Sequence, residues 1–469
     1  MVPDRGTWQL TAGAAVVGLA VAAAAVTATG PWDNGQRTAE RERAAAAGRT
    51  GGAHHEPGGR GRTAVPGPVP APSAPSVLAA AVGPATPAAP ALPAAVFAKA
   101  LAPLMGDPGL GAVHTASVVD AATGEQLYGN GASTPMTPAS TIKIATAVAV
   151  LSAAGPTHRI ATTAVASPDF RTVVLVGGGD PTLDEAGLRT LAAGTARALR
   201  EHGVSTVRLG YDTSLYTGPV LHPISPNRNV APVSPLMLDE GRLDDSTSGP
   251  ADRSADPAGD TARAFVGLLN EHGINTRTGP DPIKAPAKAI PLARTYSAPI
   301  SSLVERMLTN SDNDIAEAMA RQTALATGRP ASFAGAEAAV TARLKQLKVP
   351  LAGARFADGS GLNRADKVSA ACLTTLLTRA ADPGHPELRT VLTGLPVAGF
   401  TGTLSGRSSA GSAGLVRAKT GTLSGVDTLA GTVVSSDGRL LAFAFLAAGS
   451  PSAEAARPAL DRLAGALLP

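Results

Sequence analysis

The sequence predicts an α/β (α+β) protein in which helices flank one antiparallel five-stranded sheet and a smaller α+β domain is inserted into the main one. Two strand patterns open the globular part of the chain, and three strand patterns close it. The residues between them, 158–295, combine short strands and helices with polar connections rich in glycine, proline and aspartate. Because the early and late strands belong to one domain, we expect them to pair in a single sheet with helices on its faces.

The main domain begins with a strand over Ala112–Asp120, and a return strand follows at Gln126–Tyr128. A helix then starts close to Pro138, a residue that suits a helix start, and ends at Gly155-Pro156. The strands and helices of the inserted domain are predicted at 172–176, 184–202, 205–209 and 260–272. The late strands and the closing helix are predicted at 414–422, 426–434, 439–447 and 452–468.

The 469-residue length allows two or three domains, and the net charge of +4 gives no reason to expect nucleic acid as a partner.

Residues 1–30 include the apolar segment Leu10–Thr29, which suits either a membrane anchor or a cleaved signal peptide. Both interpretations stay open, and both predict an exported protein, tethered to the membrane or released into the wall. The predicted domains are a disordered Ala/Pro/Gly-rich linker at 31–95, the main domain at 96–157 and 296–469, and the inserted domain at 158–295.

Three short motifs, in chain order, carry the predicted chemistry. They are Ser140-Thr141-Ile142-Lys143 (Ser-x-x-Lys), Ser311-Asp312-Asn313 (Ser-x-Asn) and Lys419-Thr420-Gly421-Thr422 (Lys-Thr-Gly). Each motif alone is a weak signal, since a helical Ser-Lys pair more often lies on the surface. Together and in this order they are the set found in serine acyl-transfer enzymes that react with penicillin. The sequence therefore predicts an acyl-enzyme on serine.

The residue types suit this chemistry. A serine hydroxyl needs a base to take its proton, and Lys143, three residues after Ser140, shares its helix face. A lysine acts as a base only when neutral, and both burial and a neighbouring cation lower its pKa. We expect Lys419 to be that cation and to attract an anionic substrate. A serine in the first helical turn also has free backbone N–H groups beside the reacting carbonyl.

Competing interpretations of single residues are simpler. A second Ser-x-Asn motif, Ser225-Pro226-Asn227, lies among prolines and predicts a plain turn. Asp312 and Asn313 would serve equally as a cap for the helix that follows. The single cysteine, Cys372, lies in an apolar helical pattern and predicts a small buried side chain. Without paired cysteines or a His-x-x-x-His or His-Glu-x-x-His motif, no metal or cofactor is predicted.

With these motifs the chain resembles the D-alanyl-D-alanine carboxypeptidase/endopeptidase family, the low-molecular-mass class C penicillin-binding proteins, from about residue 95 to 469. Further matching segments are Gly179-Asp180-Pro181-Thr182-Leu183, Tyr211-Asp212-Thr213-Ser214 with Gly218-Pro219, Asp358–Arg364, and Leu423 with Leu429–Gly431. The resemblance implies a β-lactamase/transpeptidase-like main domain. The stretch between Ser140 and Ser311 is shorter than in the best-known members, which carry a larger multi-part insertion.

By the same resemblance, the protein would cleave D-Ala-D-Ala in peptidoglycan stem peptides, with D-Ala-to-diamino-acid cross-links as further substrates, and penicillins would acylate it. Ser140 would be the nucleophile and Lys143 its base. Ser311 would relay a proton to the leaving amine, and Asn313 would bind the substrate amide and Lys143.

The resemblance also implies roles for the third motif. Lys419 would add positive field, and Thr420 and Thr422 would hold the terminal carboxylate and the peptide strand. Gly421 lets a substrate backbone lie close to the strand. The backbone N–H groups of Ser140 and Thr422 would form the oxyanion hole.

Two other functions fit parts of the sequence. A serine β-lactamase needs a deacylating water and base, but no Glu-x-x-Leu-Asn follows Ser311 at a suitable distance. A non-hydrolytic β-lactam sensor or wall-binding module fits an anchor plus a linker, yet only about nine residues precede Leu10, too few for a cytoplasmic output domain. Penicillin turnover and D-Ala release from a pentapeptide distinguish the three functions.

Overall fold

The structure is a computed structural model that describes residues 92–468 apart from Ser225, Thr278 and Ala410. The apolar segment Leu10–Thr29 and nearly all of the predicted linker lie outside these residues. Among the helices of the described part, none has the length and apolar character that a bilayer-spanning helix needs. The described residues belong to the unit Gly83–Pro469.

The strands and helices follow in chain order. The strands are β1 Val113–Asp120, β2 Gln126–Asn130, β3 Arg159–Ala166, β4 Thr172–Val176, β5 Thr206–Asp212, β6 Asn275–Thr276, β7 Asp281–Pro282, β8 Ile290–Pro299, β9 Val416–Leu423, β10 Val426–Val434 and β11 Leu440–Ala448. The helices are α1 Ala94–Met105, α2 Lys143–Ala154, α3 Glu185–Glu201, α4 Pro257–Glu271, α5 Ile300–Asn310, α6 Asn313–Ala326, α7 Phe333–Gln346, α8 Ala370–Ala381, α9 Thr390–Thr393 and α10 Ala453–Gly465.

The predicted antiparallel five-stranded sheet is confirmed, with the strand order β2-β1-β11-β10-β9. Early and late strands meet at its centre, where Val118 of β1 pairs with Phe443 of β11. The next pairing, Leu429 with Phe445, joins β10 to β11. This order leaves β9, the strand of the Lys-Thr-Gly motif, at one edge of the sheet, where its outer side is open to a ligand.

Both faces of this sheet are buried, and strand alternation separates two cores. Phe443 and Phe445 of β11 point to one face, where α1 and α10 cover them. Ala442 and Ala444 point to the other face, towards α2, α5, α6 and α8. The small alanines let α8 approach the sheet closely, and the helices next to the first two motifs, α2, α5 and α6, belong to the same core.

A second, six-stranded sheet lies between α2 and α5 in the chain, with the order β6-β5-β4-β3-β8 and β7 beside β5. Its core includes Phe265 of α4 and Leu188 of α3. The strands β4 and β5 and both helices match the predicted elements to within three residues. Strands β3 and β8 were not predicted. The division into a main domain and an insert at 158–295 stays a prediction, supported by this separate sheet.

The beginning of the described chain differs from the prediction. The linker was predicted to reach residue 95, but helix α1 starts at Ala94 after the extended residue Pro93. Phe97, Leu101 and Met105 lie four residues apart and are buried, so one helical face packs onto the sheet. The alanine- and proline-rich composition around this short apolar stripe concealed the helix.

Candidate active site

Ser140 lies in a short 3-10 turn, Ala139–Ile142, that leads directly into α2. The sequence predicted an α-helix at this point. Thr428 of β10 donates its hydroxyl hydrogen to the Pro138 carbonyl oxygen at 2.8 Å, which ties the turn to the sheet. Ala139 has φ of +47°. Such strain in a non-glycine residue persists only where the surrounding structure enforces it, and it is concentrated at functional sites.

Lys143 is completely buried at the start of α2. Its Nζ lies 2.9 Å from Ser140 Oγ, 2.8 Å from Asn313 Oδ1 and 2.6 Å from the Ser360 carbonyl oxygen. Three acceptors around one nitrogen match the three N–H groups of an ammonium. When the amine is neutral, two N–H groups and one lone pair remain, and the lone pair can accept the hydroxyl proton of Ser140.

The surroundings of Lys143 lower its pKa to about 8, and the main cause is burial. Nearby carboxylates, with Asp358 first and Asp312 second, oppose this change because they favour the ammonium. The balance leaves a lysine whose pKa lies close to neutral pH, as a general base requires.

The Ser-x-Asn motif lies at the junction between α5 and α6. Ser311 ends α5 with φ of +60°, in the left-handed region. Asp312 caps α6, because its side chain accepts the N–H group of Ile315 at 2.9 Å. Asn313 has a different role, since its side-chain amide contacts Lys143. The amide nitrogen of Asn313 donates to the Asn229 carbonyl oxygen at 2.9 Å, so a segment of the second sheet's region supports it.

Strand β9 places the third motif against the Ser140 turn. Lys419 is completely buried, and its Nζ donates to the Thr420 carbonyl oxygen at 2.8 Å. Gly421 is required by packing, since an added Cβ would lie 2.2 Å from Thr428 Oγ1 and 3.0 Å from the Ser140 nitrogen. This close approach brings the strand to the serine. The role of Gly421 towards substrate stays a prediction.

The two threonines of the motif face the cleft. Thr420 Oγ1 donates to Thr403 Oγ1 at 2.9 Å, and Thr422 Oγ1 donates to Asp427 Oδ1 at 3.2 Å. Their alternation with Lys419 along the strand separates the hydroxyl groups from the buried amine. The strand therefore offers hydroxyl groups to the cleft and a buried amine beneath it.

The pKa of Lys419 is lowered well below its usual value, first by burial and then by the charges of Lys143 and Arg407. From the sequence, Lys419 is expected to lower the pKa of Lys143. Lys143 has carboxylates nearby that favour its ammonium form, and its charge opposes a proton on Lys419. In the free enzyme the proton therefore favours Lys143.

All three motifs line one cleft of about 460 Å³. The residues that reach it from the motifs are Ser140, Ser311, Asp312, Asn313, Thr420 and Thr422, and four arginines share its walls: Arg242, Arg253, Arg407 and Arg457.

Cys372 is buried in α8, and burial raises the pKa of its thiol to about 12, so it is no nucleophile.

Sequence reasoning assigned no role to the loop that contains Ser360, although its carbonyl oxygen is a direct partner of Lys143. The loop's Asp-Gly-Ser-Gly letters contributed to the resemblance, and this was the available signal. Glu317 of α6 accepts the N–H groups of Gly359 at 3.1 Å and Ser360 at 3.0 Å and thereby fixes the loop. Nothing in the local pattern around Glu317 indicates this contact, since it lies 42 residues before Gly359.

A serine that lines a cleft beside a buried lysine, between a helix start and the edge strand of a helix-flanked antiparallel sheet, defines a serine acyl-transfer enzyme of the penicillin-binding type. The model of the D-Ala-D-Ala carboxypeptidase 3 (S13) family matches residues 97–252 and 246–467. The chain therefore belongs to this family and is a serine-type D-Ala-D-Ala carboxypeptidase. Family membership places its action on peptidoglycan, outside the cytoplasm.

Individual relatives agree with the family match. The chain is 37% identical over 428 residues to a carboxypeptidase of Mycobacterium tuberculosis, covering 86% of this chain and 90% of that protein. It is 36% identical over 423 residues to carboxypeptidase DacB of Mycolicibacterium smegmatis, covering 86% and 89%. The crystal structure of penicillin binding protein 4 from Haemophilus influenzae shares the fold, with a TM-score of 0.65, 21% identity, and coverage of 80% of this chain and 98% of that one.

Proposed function

We propose that the enzyme releases D-alanine from stem peptides through an acyl-enzyme on Ser140, with Lys143 as the base. The observation that carries this proposal is the 2.9 Å contact between Lys143 Nζ and Ser140 Oγ in a buried site. Ser140 Oγ attacks the carbonyl carbon of the penultimate D-Ala while its proton passes to Lys143. The C–N bond to the terminal D-Ala then breaks, and its nitrogen takes a proton relayed by Ser311. Water finally hydrolyses the ester.

Substrate binding on β9 explains how Lys143 becomes neutral. A terminal carboxylate held by Thr420 and Thr422 adds negative charge on the Lys419 side of the cleft. A nearby opposite charge raises the pKa of a lysine. A proton on Lys419 in turn lowers the pKa of Lys143. The carboxylate therefore favours the protonation pattern in which Lys143 is the base. The backbone N–H groups of Ser140 and Thr422 hold the oxyanion, and removing one such donor typically costs about 3–4 kcal/mol of barrier.

The test uses the full chain and a fluorescent penicillin. We expect one covalent adduct, and mass analysis after digestion should place it on the peptide that contains Ser140. Ser140→Ala should abolish labelling, whereas Ser436→Ala, the same change in an exposed turn, should leave it intact. An unlabelled wild type, or undiminished labelling of Ser140→Ala, contradicts the assignment.

Cleavage of cross-links is a second candidate activity. The cleft has arginines on the α6 side as well as beside β9, and Arg253 is the most informative of them. Its side chain is 4% exposed and pairs with Asp314 through one nitrogen. Within residues 92–468, its buried Nε and Nη1 atoms have no hydrogen-bond partner. A diamino-acid cross-link carries a second carboxylate, and this carboxylate would pair with the Arg253 nitrogens in the cleft wall. Chromatography of a digested cross-linked dimer tests for the products.

The N-terminal segment supports a further proposal about location. The apolar residues Leu10–Thr29 would tether the enzyme to the outer face of the membrane, and the linker would let it reach the surrounding polymer. Deletion of residues 1–30 should move the protein from the membrane fraction to the soluble fraction when it is expressed with a substitute export signal. A wild-type protein found without its first residues and free of membrane would support the cleaved signal peptide instead.

A further inference from the structure

A buried histidine lies behind the active site, in the segment between β5 and α4. The His222 side chain is 1% exposed, and its Nε2 lies 2.9 Å from Asp358 Oδ2. The backbone N–H of Ile224 donates to His222 Nδ1 at 3.3 Å. Because Nδ1 accepts a hydrogen bond, the ring proton belongs on Nε2. His222 therefore presents its Nε2–H group to a carboxylate.

The Asp358 carboxylate organises the loop that holds Lys143. It accepts the backbone N–H groups of Ser360 at 3.1 Å, Gly361 at 2.6 Å and Asn363 at 2.7 Å. The Ser360 carbonyl oxygen, on the outer side of the same loop, accepts Lys143 Nζ at 2.6 Å. Asp358 thus holds the loop together with Glu317, and the orientation of the carbonyl group beside the base depends on both carboxylates.

Several charged groups surround His222. They are Asp358 and Asp366 from the loop, Glu317, whose Oε1 lies 3.8 Å from His222 Nε2, and Arg321, which pairs with Glu317 at 3.2 Å. The ring edge of His222 also packs on Phe333. His222, Glu317 and Asp358 come close enough together to suit a metal ion, but N–H donors already occupy the Asp358 oxygens. Hydrogen bonding therefore accounts for the cluster without a cation.

The protonation states agree with this geometry. Burial alone would raise the pKa of Asp358, but hydrogen bonds from His222 and Asp366 hold it at about 2. Burial and the charge of Asp358 raise the pKa of Asp366 to about 10, so this neighbour keeps its proton. Asp358 is consequently the ionised member of the pair near neutral pH, and its charge favours the ammonium form of Lys143.

We propose that His222 is a positioning residue for the catalytic base. Its Nε2–H group orients the Asp358 carboxylate, Asp358 shapes the 358–363 loop, and the Ser360 carbonyl of that loop holds the Lys143 amine against Ser140. The inference rests on the proposed function, because it takes Lys143 as the base. It gives the segment around His222, which belongs to the second sheet's region, a part in setting the rate of acylation.

The test compares acylation by a fluorescent penicillin from pH 6 to pH 10 in full-length variants. His222→Phe keeps a ring but removes the donor, and we expect acylation to slow by about tenfold to a hundredfold, because small displacements of a reacting group have effects of this size. The midpoint of its pH profile should also move below that of the wild type, since the carbonyl and carboxylate that favour the ammonium are both displaced. His222→Gln, whose amide can donate to Asp358, should stay within about threefold of wild type.

A purely structural role would lower the labelled fraction without moving the midpoint, and that result overturns the inference. Equal rates and midpoints for wild type and His222→Phe overturn it as well. If His222→Phe does not fold, as judged by circular dichroism, His222→Asn replaces it, because its shorter amide lies out of reach of Asp358. His202→Phe is the control, since His202 is exposed and stacks on Phe170. A wild type that takes no label contradicts the proposed function itself.

Discussion

Lys143 and Lys419 are both completely buried, but the two lysines have different surroundings. Lys143 has several carboxylates nearby, and Asp358 is the one that favours its ammonium form most strongly. Lys419 donates a hydrogen bond to the Thr420 carbonyl group, and the positive charge of Arg407 lowers its pKa. Burial lowers the pKa of both lysines, but the charges nearby oppose the shift in one and add to it in the other.

This difference shows how a site with two lysines can respond to its substrate. In the free enzyme the proton favours Lys143, which is then unable to act as a base. In the proposed mechanism, a substrate carboxylate at Thr420 and Thr422 would add negative charge on the Lys419 side. Substrate recognition and activation of the base would therefore be linked, and each of the following predictions changes one side of the comparison.

The largest effect is expected from removing the base. Lys143→Gln should slow acylation by about a thousandfold, because general base catalysis contributes on the order of 10²–10⁴-fold. Stopped-flow or gel-based labelling with a fluorescent penicillin measures the rate. Lys367→Gln is the control, since Lys367 hydrogen-bonds Thr137 at 2.7 Å and does not line the cleft. Retention of more than a tenth of the wild-type rate would point to another base.

Removing the second lysine should have the next largest effect. Lys419→Met should lower kcat/KM for a D-Ala-D-Ala peptide by about a hundredfold, the size of the loss when one electrostatic contact to a transition state is removed. The loss should be smaller for a peptide whose terminal carboxylate is amidated, because Lys419 acts on that carboxylate. Equal losses on both peptides would show that Lys419 does not respond to the substrate's charge.

The carboxylate side can be tested by pH. With the neutral Lys143 amine as the proposed base, wild-type acylation should be slow below the pKa of Lys143 and rise with pH, with its midpoint at about 8. Asp358→Asn removes a charge that favours the ammonium, so the midpoint should move to lower pH. The variant should also lose about 1–3 kcal/mol in free energy of unfolding, since a buried charged acceptor becomes a weaker one. A midpoint that moves upward contradicts the role of Asp358.

The smallest effect is expected at the rim of the cleft. Arg407 pairs with Asp461 at 2.8 Å and lines the cleft. Arg407→Gln should raise KM for a stem peptide by about threefold with little change in kcat, because a partly solvated charge contributes about 1 kcal/mol or less. Arg462→Gln is the matched control, since Arg462 pairs with Asp107 on the surface. A fall in kcat with unchanged KM would mean that Arg407 affects the reaction at Ser140 and Lys143 rather than substrate binding.

Local patterns were sufficient to predict the central sheet, and the reason lies in its residues. Strand β10 was predicted at its observed bounds, 426–434, because apolar and β-branched residues fill it and turn residues bound it. Strand β8 escaped prediction because it lies at the edge of its sheet and Ser297 is its single buried residue, so no apolar alternation marks it. On its inner face, strand β3 buries Thr162 and small alanines. These residues do not form a recognisable apolar pattern in the sequence.

The candidate site divides in the same way. Ser140 and Lys143 lie three residues apart, so helical spacing alone predicts that they meet. The contact between His222 and Asp358 joins residues 136 positions apart, and no periodicity relates such positions. Asn229 and Ser360 act through backbone carbonyl groups, which every residue type possesses. Their partnership with Asn313 and Lys143 therefore leaves no trace in the choice of amino acid.

The sequence by itself determined the kind of chemistry, because a nucleophile, its lysine and the Lys-Thr-Gly strand are specified by residue type and short spacing. Only the tertiary structure decided which lysine holds the proton. A pKa depends on burial and on every charge within a few ångströms, and for Lys143 those charges come from the α5–α6 junction, α6 and the Asp358 loop. Separate segments of chain must first fold together before that balance exists.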